Sequence, residues 1–401
     1  MAKRFLAAAA TGALATAIAC SDLLTTLPNG ADLLDSPLPE LTETELAAFL
    51  RGDEEFGRPF SVAEGLGPLF NDVSCAACHS GDGRGHPRNT LTRIGDPSND
   101  FLPEMGGPQI QIRAIPGVTA EAVPAGTPLS LRLPPPVFGA GLIEAITESA
   151  ILANVDSLDA NVDGISGRPN WVTPAEYIGV NGSPPPRAIG RFGRKAAVSN
   201  LLQQVVEAYH QDMGITSDFR PLENLNPNVL AAGTAADRAP DPEIPVATVQ
   251  SVVHYVRTLA PPAPGAMTAS RTAGSATFAA IGCASCHVPS MQTGANSIGA
   301  LSARTVTLYS DLLLHDMGDA LADNRVDGDA NGREWRTAPL WGLRLVKQFL
   351  DGQAYYLHDG RARTLDEAIR LHGGEAQAVR DAYVALTDAQ RAALLDFVGS
   401  R

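Results

Sequence analysis

The chain carries one five-residue frame twice, as Cys75-Ala-Ala-Cys78-His79 and Cys283-Ala-Ser-Cys286-His287. No other feature restricts its fold as strongly. In this spacing both thiols can add to the vinyl groups of one haem while the adjacent His ligates its iron. A zinc site needs four thiolate or imidazole ligands, and each frame offers three crowded residues. A redox dithiol needs no adjacent His and usually follows a strand in a β-α-β pattern, which is not found here. The frames therefore predict two covalently bound haem c groups on Cys75, Cys78, Cys283 and Cys286, with His79 and His287 as proximal ligands.

The chain has five cysteines, and Cys20 is the one outside the frames. It follows a basic start, Lys3 and Arg4, and an apolar run from Phe5 to Ala19. That pattern predicts a secretory signal over residues 1–20, too short to span a bilayer. Ala17-Ile18-Ala19-Cys20 resembles a lipoprotein cleavage box, with Ala in place of the usual Leu three positions before the cysteine. The expected location is the periplasm or cell envelope, with membrane contact only through a lipid on Cys20. Disulfides are not needed to account for any cysteine.

The length of 401 residues suggests two domains. With 44% hydrophobic and 18% charged residues, the composition is globular rather than disordered. A formal net charge of −14 argues against nucleic-acid and anionic-membrane partners, which need clustered Lys and Arg. Helical spacing recurs at Val249, Val252, Val253, Val256 and Leu259, just before the Pro-rich linker over 260–265. Thr42-Glu-Thr-Glu45 and Thr387-Asp-Ala-Gln390 read as capping boxes. The first opens a helix carrying Leu46, Phe49 and Leu50, and the second one carrying Leu394, Leu395 and Val398. Phe70 and Phe278 each lie five residues before a frame, and Val73 and Ile281 two before, as repeated packing units would require. The expected fold is mostly α, with two cytochrome c-like haem domains over 40–260 and 266–401, long loops and little strand.

These stretches resemble the bacterial di-haem cytochrome c peroxidase superfamily, and more closely its exported di-haem oxidoreductase family, also described as thiol oxidoreductases. The matching segments include EGLGPLFNDVSCAACHSGDGRG (64–85), PPPVFGAGLIEAI (134–146), IGRFG (189–193), DMGIT (212–216), APLWGL (338–343) and LHDGRARTLDEAIRLHGGEA (357–376). The resemblance implies peroxide chemistry at the N-terminal haem and electron delivery through the C-terminal one, from a small redox protein. It also implies a carboxylate for acid–base help, with Asp212 and Glu144 as candidates. The family commonly has Trp after its R-F-G stretch, where this chain has Arg194, which puts a tryptophan relay in doubt. Trp341 and Phe192 remain candidate aromatic bridges.

For the second haem, His372 is the expected sixth ligand, because Gly373-Gly374 lets the backbone approach a bulky group. The peroxidases have Met at the corresponding place and the methylamine-utilisation enzymes Tyr. His315 and Met317 form the rival pair, and His358 is expected to support the haem or bind a propionate. His86 is a candidate ligand for the first haem, and His254 a core or propionate residue. Asp159-Ala-Asn161-Val-Asp163-Gly164 resembles the first half of an EF-hand loop, although its twelfth position is Asn170 and not Glu. Related peroxidases hold calcium between domains, so one calcium ion on Asp159, Asn161 and Asp163 is a further expectation. Two other readings use the same motifs: a pure electron carrier, and an oxidase of a protein or thiol partner.

Overall fold

The computed structural model describes residues 33–100, 102, 107–123, 125–179, 183, 185–224 and 239–401. The expected signal segment and Cys20 lie outside the described residues. Helices account for 36% of the described residues and strands for 12%, so the fold is mostly helical with small sheets. Among the described residues no helix is long and apolar enough to cross a membrane.

Two helix pairs organise the molecule. Helix α1 (Glu43–Gly57) begins at the expected capping box, with Thr42 and Glu45 satisfying each other's backbone N–H groups. It packs against α3 (Val246–Thr258), whose Val249, Val252, Val253 and Val256 are all buried. Of Leu46, Phe49 and Leu50 on α1, only Phe49 is buried. Leu46 and Leu50 are 40% and 59% exposed, while Phe49, Gly52 and Phe56 face inward. Gly52 sets that face, because a Cβ there would lie 2.2 Å from the Ser251 carbonyl oxygen. Between these helices in sequence comes α2 (Leu201–Asp212), capped by Asn200, which buries Val205, Val206 and Tyr209 against the same core.

The second pair repeats the device. Helix α4 (Ala269–Ala280) packs on α6 (Asp388–Gly399), and a Cβ on Gly274 would lie 2.0 Å from the Ala393 carbonyl oxygen. Thr387 and Gln390 form the second expected capping box. A short helix, α5 (Leu365–Arg370), precedes α6 and is capped by Thr364. Phe278, Tyr383, Leu394, Phe397 and Val398 form the core here. Each such side chain contributes about 1.5–3 kcal/mol on burial.

The two cores interleave along the chain. Met291, Leu301, Leu308 and Leu313 pack with the first core, although they follow the Pro-rich linker. Leu133 crosses the other way. The strands are short and antiparallel: Leu91–Ile94 lies between Gln109–Ile110 and Leu129–Arg132, and Leu314–Asp316 pairs with Glu334–Arg336. This second ladder puts His315 opposite Trp335.

Phe70, Val73, Phe278 and Ile281 all pack on a core, but only one of the two phenylalanines lies beside its frame's imidazole. Phe278 is buried with its ring 6.4 Å from that of His287. Beside His79 the corresponding ring is Phe56, at 6.2 Å, and Phe70 lies in the short strand Leu69–Phe70. A helix leads into the second frame but a strand into the first, so equal sequence spacing reaches different places.

Candidate functional site

Each frame folds as one tight turn. Cys75–Cys78 is a single helical turn capped by Ser74, and the His79 N–H donates to the Cys75 carbonyl at 3.0 Å. The His287 N–H makes the same bond to Cys283 at 2.9 Å. Both thiols and the following imidazole therefore border one space. The four thiols are unpaired. Burial pushes Cys75, Cys78 and Cys283 up to about 12, and Cys286 upward as well. Thiols this hard to ionise are poor nucleophiles and poor zinc ligands. Burial lowers both His79 and His287 to about 4, which leaves the neutral imidazoles that iron requires.

The two turns open onto separate cavities of about 200 Å³ at the first frame and about 230 Å³ at the second. Size alone does not find them. A third cavity of about 320 Å³, beside Pro261, Pro262 and Tyr309, has no Cys or His on its wall.

In the second cavity His287 Nδ1 donates to the Tyr309 carbonyl at 2.9 Å, leaving Nε2 for the interior. His372 lines the same cavity, and its Nδ1 donates to the Ala368 carbonyl at 2.7 Å. Helix α5 ends at Arg370 with Leu371 as its C-cap, and Gly373 and Gly374 follow His372. His315 is occupied differently. Its two ring nitrogens contact Asp311 and Glu375, each at 2.8 Å. Burial opposes its charge, but the bonds to Asp311, Cys286 and Glu375 prevail and hold His315 up at about 12. An imidazolium with both nitrogens engaged offers no lone pair, whereas Met317 remains on the cavity wall.

His358 also borders this cavity, stacked on Trp335 at 3.6 Å with an interplanar angle of 9°. Arg132 and Lys195 lie over the same indole at 4.9 and 4.7 Å. Burial, then the charges of Arg132, Arg361, Arg194 and Lys195, push His358 down to about 2. It is a neutral hydrogen-bonding group in a cationic setting.

The first cavity is built between the frame, α2, α3 and Pro134–Phe138. Asp212, the last residue of α2, lies on its wall, and Gln109 Nε2 donates to its carboxylate at 2.6 Å. Burial raises Asp212 to about 6, with Gln109 and Arg93 opposing. Its charge acts on both Cys75 and Cys78, so it stands near the thiols. Glu144 is engaged elsewhere. Its carboxylate accepts from Arg257 at 2.6 Å and from the Leu201 N–H at 2.7 Å, and it is absent from the cavity wall. Among the described residues this cavity has Met213 but no second histidine on its wall.

The other histidines serve the backbone. His86 Nδ1 accepts from the Arg88 N–H, His210 Nε2 bonds the Leu222 carbonyl, and His254 Nε2 bonds the Glu45 carbonyl, joining α3 to α1. Trp341 and Phe192 border the first cavity but not the second. Trp341 also lines the third cavity, where its indole N–H donates to the Thr307 carbonyl. In the loop proposed for calcium, Asp159 and Asp163 accept from the loop's own N–H groups, and the Asn161 amide donates to Asp163. The described clusters with convergent ligand atoms are Cys286–Asp311–His315 and Glu223–Asp241–Glu243, neither of which includes that loop.

One feature of both cavities was not anticipated from the sequence. Arg84, Arg194 and Arg336 lie on both walls. Their hydrogen bonds go to backbone carbonyls: Arg84 to Tyr355, Arg194 to Leu133, and Arg336 to Gly193 and Thr337. Cationic donors without a carboxylate partner, beside apolar space and paired thiols, fit an amphipathic group with acidic side arms.

Twin apolar cavities, each with a C-x-x-C-H turn, mark a protein built around two redox groups. The sequence matches the family described as "Di-haem oxidoreductase, putative peroxidase" over residues 22–93 and 118–401, and the chain belongs to that family. No curated protein matches the sequence. Among solved structures, the chain is similar to hydrazine synthase of Kuenenia stuttgartiensis, studied under xenon pressure. That likeness is 16% identical, covers 100% of this chain and 99% of the other, and has a TM-score of 0.38. A MauG-like protein associated with microbial copper homeostasis is also 16% identical, with 92% of each chain covered and a TM-score of 0.38. Likenesses this distant do not bear on the site.

Proposed function

We propose that this chain is an exported c-type di-haem oxidoreductase that reduces peroxide at the N-terminal haem, with electrons relayed through the C-terminal haem. The carrying observation is the unequal equipment of two otherwise similar cavities. The second offers two imidazoles, His287 and His372, each with Nδ1 tied to a carbonyl. The first offers His79 together with a proton-holding carboxylate, Asp212. Two histidines suit electron transfer at a closed iron, and one histidine plus a carboxylate suits chemistry on a small oxidant.

Cys75, Cys78, Cys283 and Cys286 would hold the haems by thioether bonds, and His79 and His287 would ligate the irons. Bound there, haem supplies one-electron redox chemistry and a site for peroxide cleavage. Asp212, titrating at about 6, exchanges a proton near neutral pH, and Gln109 fixes the carboxylate by donating to it. His358 and the arginines lie where acidic side arms would be received. Pro134, Pro135, Val137 and Val256 give the first cavity apolar lining beside Asp212. The proposed location is the periplasm or cell envelope, with a lipid anchor on Cys20 and a small redox protein as donor. The two cytochrome c-like units would be those built on the α1–α3 and α4–α6 pairs. Calcium has no part in this proposal.

Peroxide turnover by purified holoprotein with an external donor tests the reading. His79→Ala and His287→Ala should each abolish it. Full turnover by His287→Ala would exclude the relay, and no turnover by any form would leave an electron carrier.

A further inference from the structure

The two cavities meet at a common wall made of Arg84, Arg194, Arg336, Ala338 and Pro339. Three of these five residues are cationic. Arg194 is only 8% exposed, and Arg84 and Arg336 are half-buried, so the surface they retain belongs largely to the cavities. Among the described residues none of the three makes an ion pair. The carboxylates whose fields reach Arg194 and Arg336 are Asp359 and Asp311, and these are bonded to Arg361 and His315. The backbones of Arg194 and Arg336 are joined, the Arg336 backbone N–H donating to the Arg194 carbonyl at 3.0 Å, and Arg336 Nε donates to the Gly193 carbonyl at 3.2 Å.

A guanidinium carries five donors and does not deprotonate in proteins. Arg194 directs Nε and Nη2 at one carbonyl, Leu133, at 3.0 and 2.6 Å, which leaves donors over. Burying three such charges side by side is costly unless anions meet them. Burial and the mutual repulsion of Arg84, Arg336 and Arg132 push Arg194 well down from the usual guanidinium range. A group in this position requires an anion that the described side chains do not provide.

We propose that Arg84, Arg194 and Arg336 form one carboxylate-binding site shared by the two cavities, which receives propionates from both haems, with Arg194 between them. This rests on the reading that each cavity holds a haem. A cation held between the two groups favours their reduced states, so one residue sets both reduction potentials together. Arg194 is a positioning and tuning residue and takes no part in bond changes.

The test uses wild-type, Arg194→Gln, Arg194→Lys and Arg84→Gln holoproteins. Covalent haem is counted by pyridine haemochrome absorbance, and both midpoint potentials are measured by anaerobic spectroelectrochemistry. Arg194→Gln should keep two haems and shift both potentials downward, and Arg194→Lys should restore most of each shift. Should Arg194→Gln fail to fold or load, Arg84→Gln, altered at a half-exposed position, should still lower both. Unchanged potentials, or a shift in one haem alone, would overturn the shared site. Wild-type protein without two covalent haems would instead overturn the underlying reading.

Discussion

His287 and His372 line one cavity, and each has Nδ1 fixed by a backbone carbonyl, Tyr309 for the first and Ala368 for the second. Both Nε2 atoms are thereby left for the space between, and each imidazole is neutral because burial lowers its pKa. Two nitrogen donors on one iron favour its ferric state relative to a thioether. His372→Met should therefore raise the midpoint potential of one haem and leave the other in place. Redox titration with EPR checks this, since the low-spin signal of a bis-histidine iron should disappear from one of the two centres.

Asp212 couples activity to stability in opposite directions. Its folded pKa of about 6 exceeds the ordinary 3.8, so the folded state holds the proton more tightly. Stability is accordingly lost as pH rises from 3.8 through about 6, by an amount on the order of 3 kcal/mol. Asp212→Asn should be more stable than wild type at pH 7 and equal to it near pH 3. The same change should lower peroxide turnover by roughly 10²–10⁴-fold. Urea denaturation at several pH values, with steady-state rates alongside, measures both.

The buried His315 ion triad makes the same demand on pH, over a higher range. Its folded value of about 12 lies above the unfolded 6.5, so its contribution is complete below pH 6.5 and declines as pH rises toward 12. His315→Gln leaves Asp311 and Glu375 without their cation and should cost about 3–5 kcal/mol. It should also flatten the loss of stability between pH 7 and 9, as read by thermal unfolding across that range.

Gly52 and Gly274 permit the close crossings of the α1–α3 and α4–α6 pairs. A methyl group at either would lie 2.2 or 2.0 Å from a backbone oxygen of the facing helix. Gly52→Ala and Gly274→Ala should each destabilise the protein by about 1–3 kcal/mol. An unchanged Tm in both would show that the helices can separate without loss.

Local chemistry made the frames legible in the sequence, because two thiols and an imidazole within five residues need no tertiary context. The capping boxes at Thr42 and Thr387 were legible for the same reason. The packing face of α1 was not, because a glycine contributes by what it lacks, and only the position of Ser251 shows why Gly52 faces inward. Phe56 was overlooked because it lies in the preceding helix rather than at a repeated spacing from its frame. Asp212 and Glu144 looked alike as carboxylates, and their difference depends on Arg257, which binds one of them from a distant helix. The arginine wall had no motif at all, since Arg84, Arg194 and Arg336 meet only after folding.

The proposed function requires an N-terminal haem with a face open to peroxide beside a closed C-terminal one. Low-temperature EPR of half-reduced holoprotein tests it most directly. An open N-terminal iron gives a high-spin ferric signal that stoichiometric peroxide consumes. Low-spin signals alone, indifferent to peroxide, would contradict it.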